Sequence, residues 1–104
     1  MCGIIGYLGN DDCVNYILNG LKILQNRGYD SAGISMVNDT RLCVSKFSST
    51  NTNNAISILE NSIKKDAIFC NGIGHTRWAT HGNKSDTNAH PHQDTQSRVS
   101  IVHN

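Results

Sequence analysis

The feature that most restricts the fold is a switch between two apolar periods near the start of the chain. Ile4-Ile5-Gly6-Tyr7-Leu8 is a short apolar run bounded by Gly3 and Gly9, the pattern of a buried strand over residues 3–8. Directly after it, Val14, Ile17, Leu18, Leu21 and Leu24 recur at helical spacing and share one face. Asn10 or Asp11 stands where a helix cap is expected, and the helix is expected to stop near Asn26, before Gly28. A strand followed so closely by an amphipathic helix points to a layered α/β or α+β fold, because each element needs the other to cover its apolar side.

The rest of the chain continues the pattern. Residues 33–37 read as a second strand, Asn38-Asp39-Thr40 as a turn, and residues 41–47 as a third, alternating strand. Residues 48–54 form a polar loop. Ala55, Ile56, Ile58, Leu59 and Ile63 mark a second amphipathic helix, and residues 68–76 a strand interrupted by glycines. Residues 78–97 have no period and read as a long loop, of the kind that is usually functional or mobile. Residues 98–103 alternate as a last strand, with Val99, Ile101 and His103 on one face and Ser100 and Val102 on the other. A chain of 104 residues is one small domain at most. Because it stops just after an apolar strand, its sheet is expected to have an open edge and its fold to be incomplete.

The charge balance excludes several partners. A formal net charge of +1 leaves no basic surface for nucleic acid or a membrane, and Lys64-Lys65, the only basic pair, reads as a solvated helix end. No apolar stretch approaches the roughly 20 residues of a membrane span, and the glycines near the start break up any leader-like run. A cytoplasmic protein with reduced thiols is expected. Cys2, Cys13, Cys43 and Cys70 match no zinc or redox spacing, and the last three, among apolar neighbours, read as core.

Cys2 is the sharpest chemical feature. Removal of Met1, usual before a small second residue, would leave a residue with both a thiol and a free α-amine. A thiol is only partly ionised near neutral pH, and an α-amine of pKa about 7.7–8.0 is suited to take its proton. One residue would then supply nucleophile and base; the alternative is that Met-Cys is simply how the chain begins. Gly74-His75-Thr76-Arg77-Trp78-Ala79-Thr80-His81-Gly82 follows a strand and concentrates polar and aromatic groups. Arg77 could grip a carboxylate with two parallel hydrogen bonds, and Trp78 could shield a pocket, or the segment could be a surface turn. In Arg27-Gly28-Tyr29-Asp30-Ser31-Ala32-Gly33, Arg27 could neutralise charge near the thiolate, while Asp30 and Ser31 could fix a turn. In Asn88-Ala89-His90-Pro91-His92 the paired histidines lack a cysteine or carboxylate at ligand spacing, so no metal is expected and a structural His90, buried and hydrogen-bonded in the loop, is preferred. Asn104 could donate its side-chain amide to developing negative charge, though an Asn after a strand is usually a turn.

The start Met-Cys-Gly-Ile-Ile-Gly, RGYDSAG at 27–33, GHTRWATHG at 74–82, NAHPH at 88–92 and VHN at 102–104 resemble, in this order, class II (N-terminal-nucleophile) glutamine amidotransferases. The resemblance spans nearly the whole chain and is greatest to the branch that passes ammonia to fructose-6-phosphate, making glucosamine-6-phosphate. It implies an Ntn-hydrolase-like layered sandwich (αββα) of α+β class, of which residues 1–104 are the N-terminal part. It also implies L-glutamine as substrate, no cofactor, a sugar isomerase domain or chain as recipient of ammonia, and homo-oligomers among complete relatives. Residue by residue, Cys2 would attack the glutamine amide and form a γ-glutamyl thioester, and Asn104 would hold the oxyanion. Arg77 would clamp the α-carboxylate, with Thr80 and His81 completing that wall. Trp78 would lie in a closing loop, and Arg27 would support the site.

The chain departs from the family pattern at Gln25-Asn26, where Glu-Tyr is common, and at Lys84, where a proline is common. It also lacks the family's glycine after VHN, a second oxyanion donor, and a later aspartate for the glutamine α-amine. The isolated chain is therefore expected to have little glutaminase activity. The competing readings are a non-catalytic module that binds glutamine or a partner chain, a fragment serving phosphoribosyl pyrophosphate, and a small metal-binding protein.

Overall fold

The computed structural model describes residues 1–39, 41–64, 66–79 and 82–103. Among the described residues six strands and two helices follow one another as β1 (Gly3–Leu8), α1 (Cys13–Leu24), β2 (Ser31–Val37), β3 (Leu42–Ser48), α2 (Ala55–Ser62), β4 (Asn71–Arg77), β5 (His92–Gln93) and β6 (Ser100–Ile101). A single 3-10 turn, Gln25–Arg27, extends α1. The first four strands form one antiparallel sheet in the order β1-β4-β2-β3. Both helices lie on one face of it, α1 over β1 and β4 and α2 over β2 and β3. This is an α+β layered architecture, one of the two classes that the alternation of apolar periods leaves open.

The core sits between helices and sheet. Cys13, Val14, Ile17, Leu18 and Leu21 of α1 meet Ala32, Ile34 and Met36 of β2 and Ile56 and Leu59 of α2. Ile17, Leu21, Ile34 and Leu59 are fully buried, each worth about 1.5–3 kcal/mol relative to exposure. Glycines let the layers approach. A Cβ on Gly72 or Gly74 would come within 2.7 or 2.6 Å of the Ile17 side chain, so these positions of β4 face α1 and their neighbours Ile73 and His75 face away.

Local capping differs from the sequence expectation at one helix. Asp12, not Asn10 or Asp11, is the N-cap of α1, and its side chain does not cap. Its carboxylate instead accepts from the Phe69 N–H at 3.2 Å, while the Cys13 N–H donates to the Phe69 carbonyl at 2.7 Å. The start of α1 is thus anchored by the approach to β4, a long-range partner invisible to local rules. At α2, Asn54 caps conventionally, its side chain accepting from the Ser57 N–H at 2.8 Å.

The second face of the sheet is crossed by residues 82–103, which the sequence divides into a loop and a strand. The structure corrects this division. Within that span β5 and β6 form a hairpin, with His92 opposite Ile101 and Gln93 opposite Ser100. Asp94 builds its turn: the carboxylate accepts from the Arg98 and Val99 N–H groups at 2.6 and 3.0 Å, and the Asp94 N–H donates to the Val99 carbonyl. Those bonds hold the Asp94 carboxyl below its ordinary range. Val99 and Ile101 are exposed, at 57 and 59%, while Ser100 and Val102 are half-buried. Ile4 and Leu8 of β1 are exposed as well. A cleft of about 400 Å³ opens on this side, lined in part by Val37, Leu42, Ile73 and Val99.

Of the cysteines expected in the core, only Cys13 is buried. Cys43 is half-buried at its margin, Cys70 is half-buried and donates to the Asn10 carbonyl, and none of the four cysteines forms a disulfide among the described residues. Among the described residues no helix is long and apolar enough to cross a membrane.

Candidate active site

The pairing of Gly3 with Thr76 sets the start of the chain against the end of β4. Cys2 is half-buried there, its thiol 4.0 Å from the Trp78 carbonyl oxygen, a long contact for a sulfur donor. Met1 is attached and 71% exposed, so the Cys2 nitrogen in this structure is a peptide N–H. Arg27, at the end of the 3-10 turn, brings its guanidinium to 3.5 Å from the Met1 sulfur. Cys2, Arg27 and Trp78 are thus brought to one corner of the molecule although 76 positions separate the first from the last.

Three further residues shape that corner. Asp30 is tied to the β4 end twice: its N–H donates to the Arg77 carbonyl at 3.0 Å, and its carboxylate accepts from the Ala79 N–H at 2.8 Å. Tyr29 meets the Trp78 ring edge-on, with ring centres 5.2 Å apart. Gly28 lies so close that a Cβ there would stand 2.6 Å from the Arg77 carbonyl carbon and 2.7 Å from the Trp78 nitrogen. RGYDSAG therefore does more than turn the chain, since it packs against HTRWA. Asp30 bonds across to another strand rather than within its own turn. Ser31 is buried, and its hydroxyl has no hydrogen-bond partner among the described residues.

Arg77 is almost fully buried, at 8% exposure, and its guanidinium donates to the Asn83 carbonyl at 3.1 Å. Gly82, at φ +79, sits in the left-handed region beside it. Trp78, by contrast, is 41% exposed. Thr80, His81 and Asn104, the other candidate site residues, lie outside the described residues.

The histidines form a second assembly on the far face of the sheet. His75 is fully buried on β4, next to Gly33 in the β2–β4 register. Its Nε2 stands 2.7 Å from the His103 carbonyl oxygen, so Nε2–H is the donor. His90 stacks on it at 4.3 Å and is itself 4.4 Å from His92. The His90 Nδ1 accepts from the His103 N–H at 3.2 Å, which requires that nitrogen to be bare. His90 is hydrogen-bonded, as preferred for it, but half-buried rather than buried. Burial and the neighbouring rings push His90 down to about 4, and burial lowers His75 and His92. Lys46 of β3 reaches the same segment, donating to the Ala89 carbonyl at 2.9 Å, and burial lowers it too. Asp86 pins the segment's start by accepting from the Ser48 N–H and hydroxyl. Among the described residues no three His, Cys, Asp or Glu side chains are grouped so as to hold a metal ion.

Residue reading missed the Asp30–Ala79 bond and the double grip on the His103 backbone. Neither has a local signal, because both join segments far apart in the chain.

No protein-family model matches the chain. Among curated proteins it is similar over its entire length to glutamine–fructose-6-phosphate aminotransferase (isomerizing) of Clostridium acetobutylicum, at 48% identity over an alignment of 105 positions. The same enzyme of Oceanobacillus iheyensis is 48% identical and that of Streptomyces coelicolor 45%, each over 104 positions. The chain spans 16% of the length of each of these relatives. From end to end, the chain matches the N-terminal, glutamine amidotransferase part of bacterial glutamine–fructose-6-phosphate aminotransferases.

Proposed function

We propose that the chain is the glutaminase part of a glutamine-dependent amide transfer, with an Ntn-hydrolase-like αββα sandwich completed by sequence beyond these 104 residues. The observation that carries this reading is the meeting of Cys2 with the Arg77–Trp78 corner at the end of β4. With Met1 removed, the Cys2 α-amine takes the thiol proton, and the thiolate sulfur attacks the side-chain carbonyl carbon of glutamine. The tetrahedral oxyanion is held by the Asn104 side-chain amide. The C–N bond then breaks and ammonia leaves with the proton returned by the α-amine. Water attacks the γ-glutamyl thioester, releasing glutamate and restoring the thiol.

Arg77 holds the glutamine α-carboxylate, with Thr80 and His81 beside it. Trp78, exposed and resting on Tyr29, belongs to the covering loop, and Arg27 offsets negative charge at the start of the chain. The relatives are named as aminotransferases of glutamine and fructose-6-phosphate, and fructose-6-phosphate is proposed here as the acceptor of the ammonia, on a sugar isomerase domain or chain. The chain spans only 16% of those relatives, and Ile4, Leu8, Val99 and Ile101 are exposed. Both support the view that residues 1–104 alone hydrolyse little glutamine.

The test is the mature protein's first residue and its reactivity. Mass spectrometry of the full-length protein should find Cys2 at the N-terminus, and a diazoketone mimic of glutamine should add once, at Cys2. Cys2→Ala and a form that retains Met1 should both lose glutamine hydrolysis. Full hydrolysis by the Met1-retaining form would end the reading.

A further inference from the structure

His75 is a buried, titratable side chain that the reaction above does not use. An imidazole at 0% exposure is costly unless its polarity serves something. One ring nitrogen, Nδ1, has no hydrogen-bond partner among the described residues. The other, Nε2, donates to the His103 carbonyl at 2.7 Å. His90, stacked on His75 at 4.3 Å, takes the His103 N–H at 3.2 Å. Two stacked rings thus hold both polar backbone groups of one residue, and the next residue in the chain is Asn104.

His75 also shares a face of β4 with Arg77, two positions on. The strand that bears the carboxylate clamp is therefore joined, through one buried ring, to the segment that leads into the oxyanion donor. Substrate hydrolysis needs those two groups at a fixed spacing, because the α-carboxylate and the reacting amide are ends of one glutamine. A misplacement of about 1 Å can cost on the order of 10²-fold in rate.

We propose that His75 and His90 are positioning residues, which grip the N–H and carbonyl of His103 and so hold in register with β4 the main chain that leads into Asn104. This rests on the reading of Cys2 and Asn104 as nucleophile and oxyanion donor. Neither histidine touches the substrate; both act through the main chain.

The experiment uses the full-length protein with four substitutions. His75→Leu and His90→Phe remove the ring nitrogens that bond His103, and His90→Phe keeps a stacking ring. His75→Gln keeps a donor where Nε2 stood, and His90→Asn keeps an acceptor where Nδ1 stood. Three quantities are read: kcat and KM for glutamine hydrolysis, and the rate of Cys2 alkylation by iodoacetamide, a displacement that forms no oxyanion. Loss of a full oxyanion donor costs about 10²–10³ in kcat, so a displaced one should cost about 10–100-fold. His75→Leu and His90→Phe are expected to show that loss, with KM within about threefold and alkylation unchanged. His75→Gln and His90→Asn should return to within about threefold of wild type. The inference is overturned if the first pair keep wild-type kcat, if alkylation falls in step with kcat, or if the second pair rescue nothing. Should His75→Leu not fold, His90→Phe against His90→Asn decides alone. A wild type that alkylates normally but hydrolyses no glutamine would overturn the glutaminase reading and this inference together, whereas an active wild type with insensitive variants would overturn this inference alone.

Discussion

Gly33→Ala should loosen the whole segment that carries the histidines. Gly33 lies on β2 opposite His75, and a Cβ there would collide with the His90 carbonyl oxygen while standing 2.8 Å from the Lys46 Cβ and 2.9 Å from the Pro91 Cδ. Two of these three neighbours belong to residues 90–91, so relief of the collision has to move that stretch off the sheet. A shift of about 1 Å would stretch the 3.2 Å bond between the His103 N–H and His90 past hydrogen-bonding range and misalign the His75 bond to the His103 carbonyl. Overpacking of this kind costs about 1–3 kcal/mol, and each hydrogen bond lost about 0.5–1.5 kcal/mol net. One shift relieves the first at the expense of the second, so the terms do not simply add, and about 2–4 kcal/mol is expected. That is large beside the roughly 5–15 kcal/mol that holds a domain folded.

Hydrogen exchange reads this locally in the full-length protein. At about 1.4 kcal/mol per decade, the His103 and Ala89 amides should exchange about 30- to 700-fold faster, up to full loss of protection. Gly6→Ala is the matched control. It lies in β1 of the same sheet, but its Cβ would meet only the Gly72 carbonyl oxygen and an Ile73 methyl, both at 3.9 Å, which is ordinary contact. Exchange in Gly33→Ala that stays within threefold of Gly6→Ala would refute the reasoning, since the segment would then not be seated on Gly33.

Three other outcomes are expected. Asp30→Ala removes the charged acceptor of the Ala79 N–H, a bond of about 1.5–3 kcal/mol, and should raise KM for glutamine about tenfold by releasing the Arg77–Trp78 corner; an unchanged KM would contradict the role given to that bond. Acid should release the histidine segment: His75, His90 and His92 all bind protons less readily folded than unfolded, so their contribution is complete above about 6.5 and falls with pH, for His90 until about 4. His90→Asn should flatten that dependence in exchange measured from pH 7 to 4. Burial raises the Cys13 thiol to about 11, so alkylation at pH 8 followed by peptide mapping should leave Cys13 unlabelled until the protein is unfolded.

The two helices are legible in the sequence because their apolar residues repeat at a spacing that needs no partner to be recognised. Ile17 and Leu21, or Ile56 and Leu59, face the core in any layered arrangement. Side-chain chemistry and motif order together marked Cys2, Arg27, Arg77 and Trp78 as candidates, and the register of β1 on β4 with the Arg27–Met1 contact brings their three segments to one corner. Thr80, His81 and Asn104 rest on motif alone.

What the tertiary structure decided is how remote segments meet. The strand order β1-β4-β2-β3 places Gly33 beside His75, and only that neighbourhood makes room for His90 and Pro91 on the sheet. The β5–β6 hairpin is similarly hidden, because two-residue strands have no readable period. Periodicity reports which face of an element is apolar, whereas hydrogen bonds between residues dozens of positions apart depend on register and close approach, which no local pattern encodes.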